Sequence, residues 1–391
     1  MKPRNDIQEM RRQNQKLILD MIYKNGVVSR AEMSKALGLS KPTVNEHVDL
    51  LLKTGIIQEV GEGISNAKGG RKPILIAPNE TYKYIIAIDL SLTQPLAALG
   101  NMLVPAIEKV LIESREKAGD LNQSIKRAID WLMQTCGITN DQIGVIVVST
   151  PGIVNDQNQI ILRNKQHELT YNTDLFAFLS EEYNKVVLIK NDVNMSVLAE
   201  KEIQERKDKR NFVLLACGNG FGAGIILNGI LIEGHNKAAG EVGFMLEEGV
   251  PLEDTITIQP FIEKVKQESE HYPNSKLKDI DKMSFAHVLK AYQEDDPAVI
   301  SVLKDIGYKL GVCANNIAAL LDLELILLGG DYLEFEDVLI PEIRKVVDRT
   351  GHLTKPQIEP SSLGHNSGVI GCMNVAREYL VKTVENENGG I

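Results

Sequence analysis

Cysteine is scarce in this chain of 391 residues, and the four present, Cys136, Cys217, Cys313 and Cys372, stand far apart. None forms a C-x-x-C pair, so neither a disulfide framework nor a cysteine-rich zinc site is indicated, and buried free thiols in a reducing cytosol are expected. An N-terminal apolar stretch of signal-peptide type is missing, as is any run of roughly 18 apolar residues, so neither secretion nor membrane spanning is expected. Low-complexity tracts are also lacking.

What is present is a globular composition, 43% hydrophobic and 25% charged, in a chain long enough for two or three domains. The charge is uneven. Residues 1–75 hold 13 Lys+Arg against 8 Asp+Glu, while the rest of the chain holds 30 against 45. A basic module of net +5 on an acidic body of net −15 suits a protein that meets phosphates at one end.

The basic module reads as three helices and a wing. Residues 8–25 carry Leu17, Ile18, Met21 and Ile22 on one face, with Arg11, Arg12 and Lys16 free for backbone phosphate, and Gly26 as a cap. Ser29-Arg30-Ala31-Glu32 has the spacing of a capping box and opens a second helix, which Gly38 closes. Ser40 is a natural N-cap for a third, with Pro42 in its first turn. There Val44, Val48, Leu51 and Leu52 face inward, and Lys41, Thr43, Asn45 and Glu46 face outward. Those four side-chain types match guanine, the thymine methyl, adenine and the cytosine amine in a major groove. Taken alone, the helix fits an ordinary solvated amphipathic helix equally well. Its context favours DNA: predicted strands at 56–60 and 74–77 bracket a glycine-rich basic loop containing Gly70 and Arg71, suited to a minor groove. Arg30, Ser40, Lys41, Thr43, Asn45, Glu46, Gly70 and Arg71 are therefore the expected DNA contacts.

Beyond residue 83 strands and helices mix, which indicates an α/β body. Apolar strands are expected at 84–89, 144–148, 186–189, 213–216 and 325–328, and helices at 121–135, 175–183, 195–204, 298–321 and 338–350. Asn228-Gly229 between two apolar runs signals a type I′ hairpin. Residues 385–391 read as a frayed tail. Asp192 follows a strand, as a ligand group or general base would, but spacing alone favours it as a helix N-cap. Gly218-Asn219-Gly220-Phe221-Gly222-Ala223-Gly224 fits a phosphate cradle or a tight turn about equally. Glu241, between Gly240 and Gly243, is a fixed carboxylate able to accept from sugar hydroxyls. Gly329-Gly330 marks a turn of close backbone approach.

In this order the residues resemble the ROK family, the repressors and sugar kinases of the actin–hexokinase superfamily, across about residues 10–380. The resemblance is carried by the winged helix, Asp89, Val148-Ser149-Thr150-Pro151-Gly152-Ile153-Val154, Asn164, Asn191-Asp192-Val193-Asn194, the glycine loop at 218–224, Ala239-Gly240-Glu241-Val242-Gly243, and Gly329-Gly330. It implies two actin-like, ribonuclease H-like lobes behind the winged helix: a DNA-binding domain at 1–78, a first lobe at 79–195, and a second lobe with the dimerisation region at 196–391, from which a C-terminal helix returns to the first. It also implies that Asn164, Asn191, Asp192 and Glu241 line a monosaccharide site between the lobes.

Two departures distinguish this chain. Where kinases of the family carry D-x-G-G-T, it has Asp89-Leu90-Ser91-Leu92-Thr93, and the lost glycines oppose close approach of a triphosphate. Where the family carries a histidine followed by a zinc-binding cysteine cluster, it has Phe244 and then neither cysteine nor histidine through residue 262, so no zinc is expected. Phe244 is expected to stack on the sugar instead. Gln259 is the nearest counterpart of a glutamate that contacts sugar in the family. The expectation is a cytoplasmic, homodimeric repressor that binds an operator in double-stranded DNA, responds to a small sugar-like effector, and has no cofactor, membrane partner or catalytic residue. The competing expectation is an ATP-dependent sugar kinase with an accessory DNA-binding domain.

Overall fold

The computed structural model describes residues 3–63, 72–91, 95–113, 120–155, 160–161, 175–278, 280–349 and 355–388. The amino-terminal head comprises α1 (Pro3–Asn25), β1 (Val28–Ser29), α2 (Arg30–Leu37), α3 (Lys41–Thr54), β2 (Ile57–Glu62) and β3 (Ile74–Pro78), with the strands paired in the order β1-β3-β2. Local chemistry fixes the helix ends. Ser29 and Glu32 close the capping box of α2, and Ser40 Oγ accepts from Thr43 N at 3.3 Å to open α3. Gly38 and Gly55, at φ 67° and 79°, end those helices in left-handed caps that residues with a Cβ adopt at a cost.

Two details of the head differ from the sequence reading. α1 begins at Pro3 rather than residue 8. On α3 the buried stripe is Val44, His47, Val48 and Leu51, while Leu52 is only half-buried. Positions i, i+3, i+4 and i+7 form the tighter stripe, and i+8 falls at its edge. A short connection joins head to body. It is itself pinned: Asn79 N donates to Ile56 O at 3.0 Å and Asn79 Nδ2 to Gly55 O at 2.8 Å.

The first lobe contains β4 (Tyr84–Asp89), β5 (Leu96–Asn101), β6 (Glu108–Leu111), α4 (Leu121–Cys136), β7 (Ile143–Thr150), the small pair β8 (Ile153–Val154) and β9 (Ile160–Ile161), α5 (Leu175–Tyr183) and β10 (Val186–Asn191). Its sheet has the order β10-β7-β4-β5-β6. β4, β5 and β6 run antiparallel, and β7 and β10 join parallel to β4. Ile85–88 and Val145–148 are continuous buried runs because helices cover both faces of the sheet.

α6 (Asp192–Lys201) leads out of this sheet. It starts three residues before the expected helix, and its N-cap is Asn191, not Asp192: Asn191 Oδ1 accepts from Asn194 N at 2.9 Å. Asp192 is the first helical residue, which leaves its carboxylate available for another role.

The second lobe repeats the pattern. It contains β11 (Phe212–Cys217), β12 (Phe221–Leu227), β13 (Ile230–Leu231), β14 (Leu246–Glu247), β15 (Val250–Pro251), α7 (Ile258–Ser269), α8 (Phe285–Gln293), α9 (Pro297–Leu321), β16 (Leu325–Gly329), α10 (Glu336–Arg349) and β17 (Gln357–Pro360). The order is β13-β12-β11-β16-β17, again three antiparallel strands followed by two parallel ones. The Asn228-Gly229 turn adopts φ 53° and 77°, as a type I′ hairpin requires. This is the two-lobed α/β body expected behind the winged helix.

The last helix, α11 (Ser367–Asn388), returns to the first sheet and packs on β4 and β7. It runs three residues past the start of the expected frayed tail. The reason is contact with the rest of the fold: Val369, Cys372, Met373, Ala376, Leu380 and Val384 are buried in one apolar core with Ile85, Ala87, Val145 and Val147 of the first lobe. The same core holds Ile18, Ile22, Val48 and Leu51 of the head. Among the described residues, no helix is long and apolar enough to cross a membrane.

Candidate functional site

Two surfaces carry the chemistry. On the head, Lys41, Asn45 and Glu46 are exposed along one side of α3, and Thr43 is half-buried beside them. The Ser40 and Thr43 hydroxyls lie 2.8 Å apart, so each already has a partner. Glu46 pairs with Arg11 of α1 at 3.5 Å. Arg30 is engaged within the head, 2.8 Å from Asp49 and 3.9 Å from Glu59. Gly70 and Arg71 lie outside the described residues.

The second surface is a cleft of about 380 Å³ between the carboxyl ends of the two sheets. Asn191, Asp192, Glu241 and Phe244 all line it, although they come from two separate stretches of chain. Asn164 lies outside the described residues. Asn191 organises the floor. Its Nδ2 donates to Gly152 O and to Asp192 Oδ1, each at 3.1 Å, which ties the Pro151-Gly152-Ile153 turn to the start of α6. Asp192 Oδ1 also accepts from Val193 N at 2.9 Å.

Glu241 is presented by a loop that only glycine allows. Gly240 has φ +93°, and a Cβ there would stand 1.8 Å from the carbonyl oxygen of Ala223. The close approach lets Ala223 N donate to Gly240 O at 2.7 Å, which seats the loop on β12. Phe244 ends the next helical turn, lines the cleft and is 45% exposed.

The field in the cleft is negative. Asp89, Asp192, Glu241, Glu253 and Asp331 are among its lining residues, and the only basic side chain among the described lining is His365, 3.1 Å from Glu334. Burial, the charge of Asp89 and, more weakly, that of Glu241 push the Asp192 carboxyl up to about 7, against the Val193 hydrogen bond. Asp89 is also raised by burial, opposed by its hydrogen bonds from Ser91.

The glycine turn at Gly218–Gly220 joins β11 to β12 as a hairpin, with Gly218 N donating to Gly220 O at 2.9 Å. The Asp331 carboxylate lies over Gly218, where an added Cβ would meet its Oδ2 at 2.5 Å. A carboxylate beside this turn repels the phosphate that such a turn could otherwise cradle.

Sequence reasoning missed Glu253, Asp331 and His365. Only Asp331 left a signal, directly after Gly329-Gly330. Gln259 is corrected: it is exposed on α7, donates to Glu263 at 2.9 Å, and does not line the cleft, whereas Glu253 does. The stretch where zinc ligands would stand forms the β14–β15 hairpin, with Glu248 and Gly249 at φ 51° and 84°. Met245, Leu252 and an ion pair from Glu247 to Lys309 of α9 hold that hairpin to the core. The residues there do not fit a zinc site. Among all described residues, no group of three or more His, Cys, Asp or Glu is placed to share a metal.

Comparison with known proteins covers both surfaces. The pattern of the ROK family matches residues 86–379, and that of a winged helix-turn-helix DNA-binding domain matches residues 11–58. The xylose repressor of Bacillus spizizenii is 27% identical over 384 residues, covering 95% of this chain and 97% of its own. A glucokinase of Halalkalibacterium halodurans is 29% identical over 228 residues, 53% of this chain and 67% of its own. Among solved structures, a ROK family transcriptional regulator described as a homologue of the E. coli MLC protein superposes with a TM-score of 0.76 at 20% identity, covering 97% of this chain and 99% of that one. A ROK family glucokinase from Streptomyces griseus, with glucose and AMPPNP, gives 0.63 at 19% identity over 75% of this chain and 99% of its own.

Proposed function

This chain belongs to the ROK family, and on that premise we propose that it is a DNA-binding transcriptional repressor whose hold on its operator is set by a monosaccharide bound between the lobes. The carrying observation is that one chain joins a reading helix with Lys41, Asn45 and Glu46 exposed to a kinase-shaped cleft whose described lining has five carboxylates and neither lysine nor arginine. Phosphoryl transfer works by positioning and by compensating phosphate charge, and the stretch Asp89-Leu90-Ser91-Leu92-Thr93 lacks the paired glycines that let backbone approach a triphosphate. The likeness to proteins named xylose repressors over nearly the whole chain supports the same reading.

In this reading Asn191, Asp192 and Glu241 hydrogen-bond the hydroxyls of the sugar, and Phe244 stacks on its apolar face. Two chains form a two-fold dimer and place their heads on half-sites of one operator. The sugar binds the DNA-free state more tightly, because a ligand of equal affinity for both states shifts nothing.

The test is fluorescence anisotropy on a duplex that the protein selects from a random pool, with and without D-xylose and a panel of other pentoses and hexoses. Release by at least one sugar is expected. Binding unaffected by every sugar that raises the melting temperature would defeat the reading.

A second reading, a sugar kinase with a DNA-binding accessory, is favoured by Asp192 alone, since a carboxyl held near 7 suits a general base. It requires ADP release from ATP and a sugar, abolished by Asp192→Asn.

A further inference from the structure

α11 begins at the cleft and ends in the head. Gly364, His365 and Ser367 line the cleft just before and at its first turn. Gly368 then lies against Asp89: a Cβ there would stand 1.9 Å from Asp89 Oδ2, so the carboxylate fills the space of a side chain. The other oxygen, Oδ1, accepts from Ser91 N at 3.0 Å and Ser91 Oγ at 2.7 Å. A carboxylate at the first turn of a helix meets the positive end of its dipole.

One turn later α11 rests on α6. A Cβ on Gly371 would stand 2.0 Å from Met195 O, and the Ser367 and Ser196 hydroxyls are 3.1 Å apart. α6 opens with Asp192. The two carboxylates of the cleft floor thus both bear on α11, Asp89 directly and Asp192 through α6.

The contact face continues to the far end. Residues 369, 372, 373, 376, 380 and 384 follow at helical spacing, and 22 residues span about 33 Å. Midway, Arg377 donates through Nε and Nη2 to Asn101 O at 3.2 and 3.1 Å. At the end α11 packs against α1 and α3, and Leu380 and Val384 share a core with Ile18, Ile22 and Leu51.

Building on the reading of a sugar-controlled repressor, we propose that α11 transmits the state of the cleft to the reading head, and that Asp89 is the positioning residue through which the cleft holds it. A close-packed helix shifts as a unit rather than deforming along its length. A sugar that engages Asp192 and draws the lobes together displaces α6 and Asp89, and so moves α11 under α1 and α3. Asp89 is the carboxylate kept from a phosphate loop whose glycines are gone, and its partners are now Ser91 and the first turn of this helix.

The experiment measures calorimetric sugar affinity for the full chain, alone and saturated with its selected duplex, using D-xylose and the same panel of sugars. The ratio of the two affinities is the coupling, and linkage makes it equal to the factor by which the sugar weakens duplex binding. Wild type is expected to show a ratio of about 5 or more. Val384→Ala, at a buried position outside both the cleft lining and the expected DNA contacts, retains each separate affinity within about threefold while the ratio falls toward one. Asp89→Asn lowers the ratio whatever its effect on either affinity.

A wild-type ratio of one with every sugar that binds would end the repressor reading itself. A wild-type ratio of 5 or more that survives both substitutions would overturn the role of α11 alone. If Val384→Ala unfolds, hydrogen exchange on the wild type decides. The sugar must change protection along α11 together with α1 and α3, and unchanged α11 amides overturn the proposal.

Discussion

Arg30 of α2 and Asp49 of α3 stand 2.8 Å apart, an ion pair across the two helices that form the reading unit. Arg30 therefore has a competitor for any phosphate. Replacing Asp49 with Asn removes the nearer of the two carboxylate charges on the guanidinium, leaving Glu59 at 3.9 Å, without changing the shape of the side chain. The variant is expected to bind random duplex several-fold more tightly at low salt, with the salt slope steeper by about one ion. Anisotropy titrations between 50 and 200 mM salt, roughly the range where such slopes are read, would measure it.

Base reading and phosphate binding separate on α3. Asn45→Ala is expected to cost about 1–3 kcal/mol on the selected duplex and little on a random one. Lys41→Ala, if the lysine serves phosphate, weakens both alike and lowers the salt slope by about one. Competition binding with both duplexes distinguishes these outcomes, and equal losses for Asn45→Ala on the two would remove it from base reading.

Asp192 makes stability depend on pH. Its carboxyl sits at about 7 in the fold, above its ordinary value of 3.8. A raised carboxyl stabilises the fold fully below about 4, and that contribution is lost as pH climbs through about 7. Asp192→Asn has no such proton to lose. Its melting temperature is expected to match wild type near pH 4 and to exceed it by roughly 2–5 °C at pH 8. A difference that stays constant across that range would show that Asp192 keeps an ordinary value.

Gly240→Ala tests how Glu241 is held. The substitution puts a methyl group 1.8 Å from a backbone carbonyl oxygen at a φ of +93°. A cost of at least about 2 kcal/mol is expected in chemical denaturation, together with loss of sugar-dependent thermal stabilisation. A variant that melts and responds to sugar like wild type would mean that the loop can take another path.

The head was largely legible in the sequence because its signals are local. The capping box at Ser29 and Glu32, the Ser40 cap and the Gly38 stop all act within a few residues and need no tertiary context. In the cleft, Asn191, Asp192, Glu241 and Phe244 were found through the order of short motifs along the chain. Glu253, Asp331 and His365 were not, because they are brought there by the β14–β15 hairpin, the pairing of β11 with β16, and the tie of residues 361–363 to Glu200 of α6, respectively. Gln259 is the nearest counterpart by spacing, but a hairpin stands where the family has its cysteine cluster, so spacing no longer measures distance in space. The last turn of α11, from residue 385 to 388, was missed because frayed-tail composition is a weak predictor when a helix has a core to lie on. The roles of Asn164, Gly70 and Arg71 stand as the sequence left them, since those residues lie outside the described part of the chain.

The pinned connection at Asn79 has a bearing on operator architecture. With its backbone and side chain bonded to Ile56 and Gly55 of the head, and the head sharing one core with α11 and the first lobe, the joint gives the head little freedom to reach along the double helix. In a two-headed assembly the distance between reading helices is then a property of the body, which acts as a rigid ruler. Moving the halves of a palindrome apart by about five base pairs turns the second half to the opposite side of the duplex. A protein jointed in this way has no slack with which to follow it.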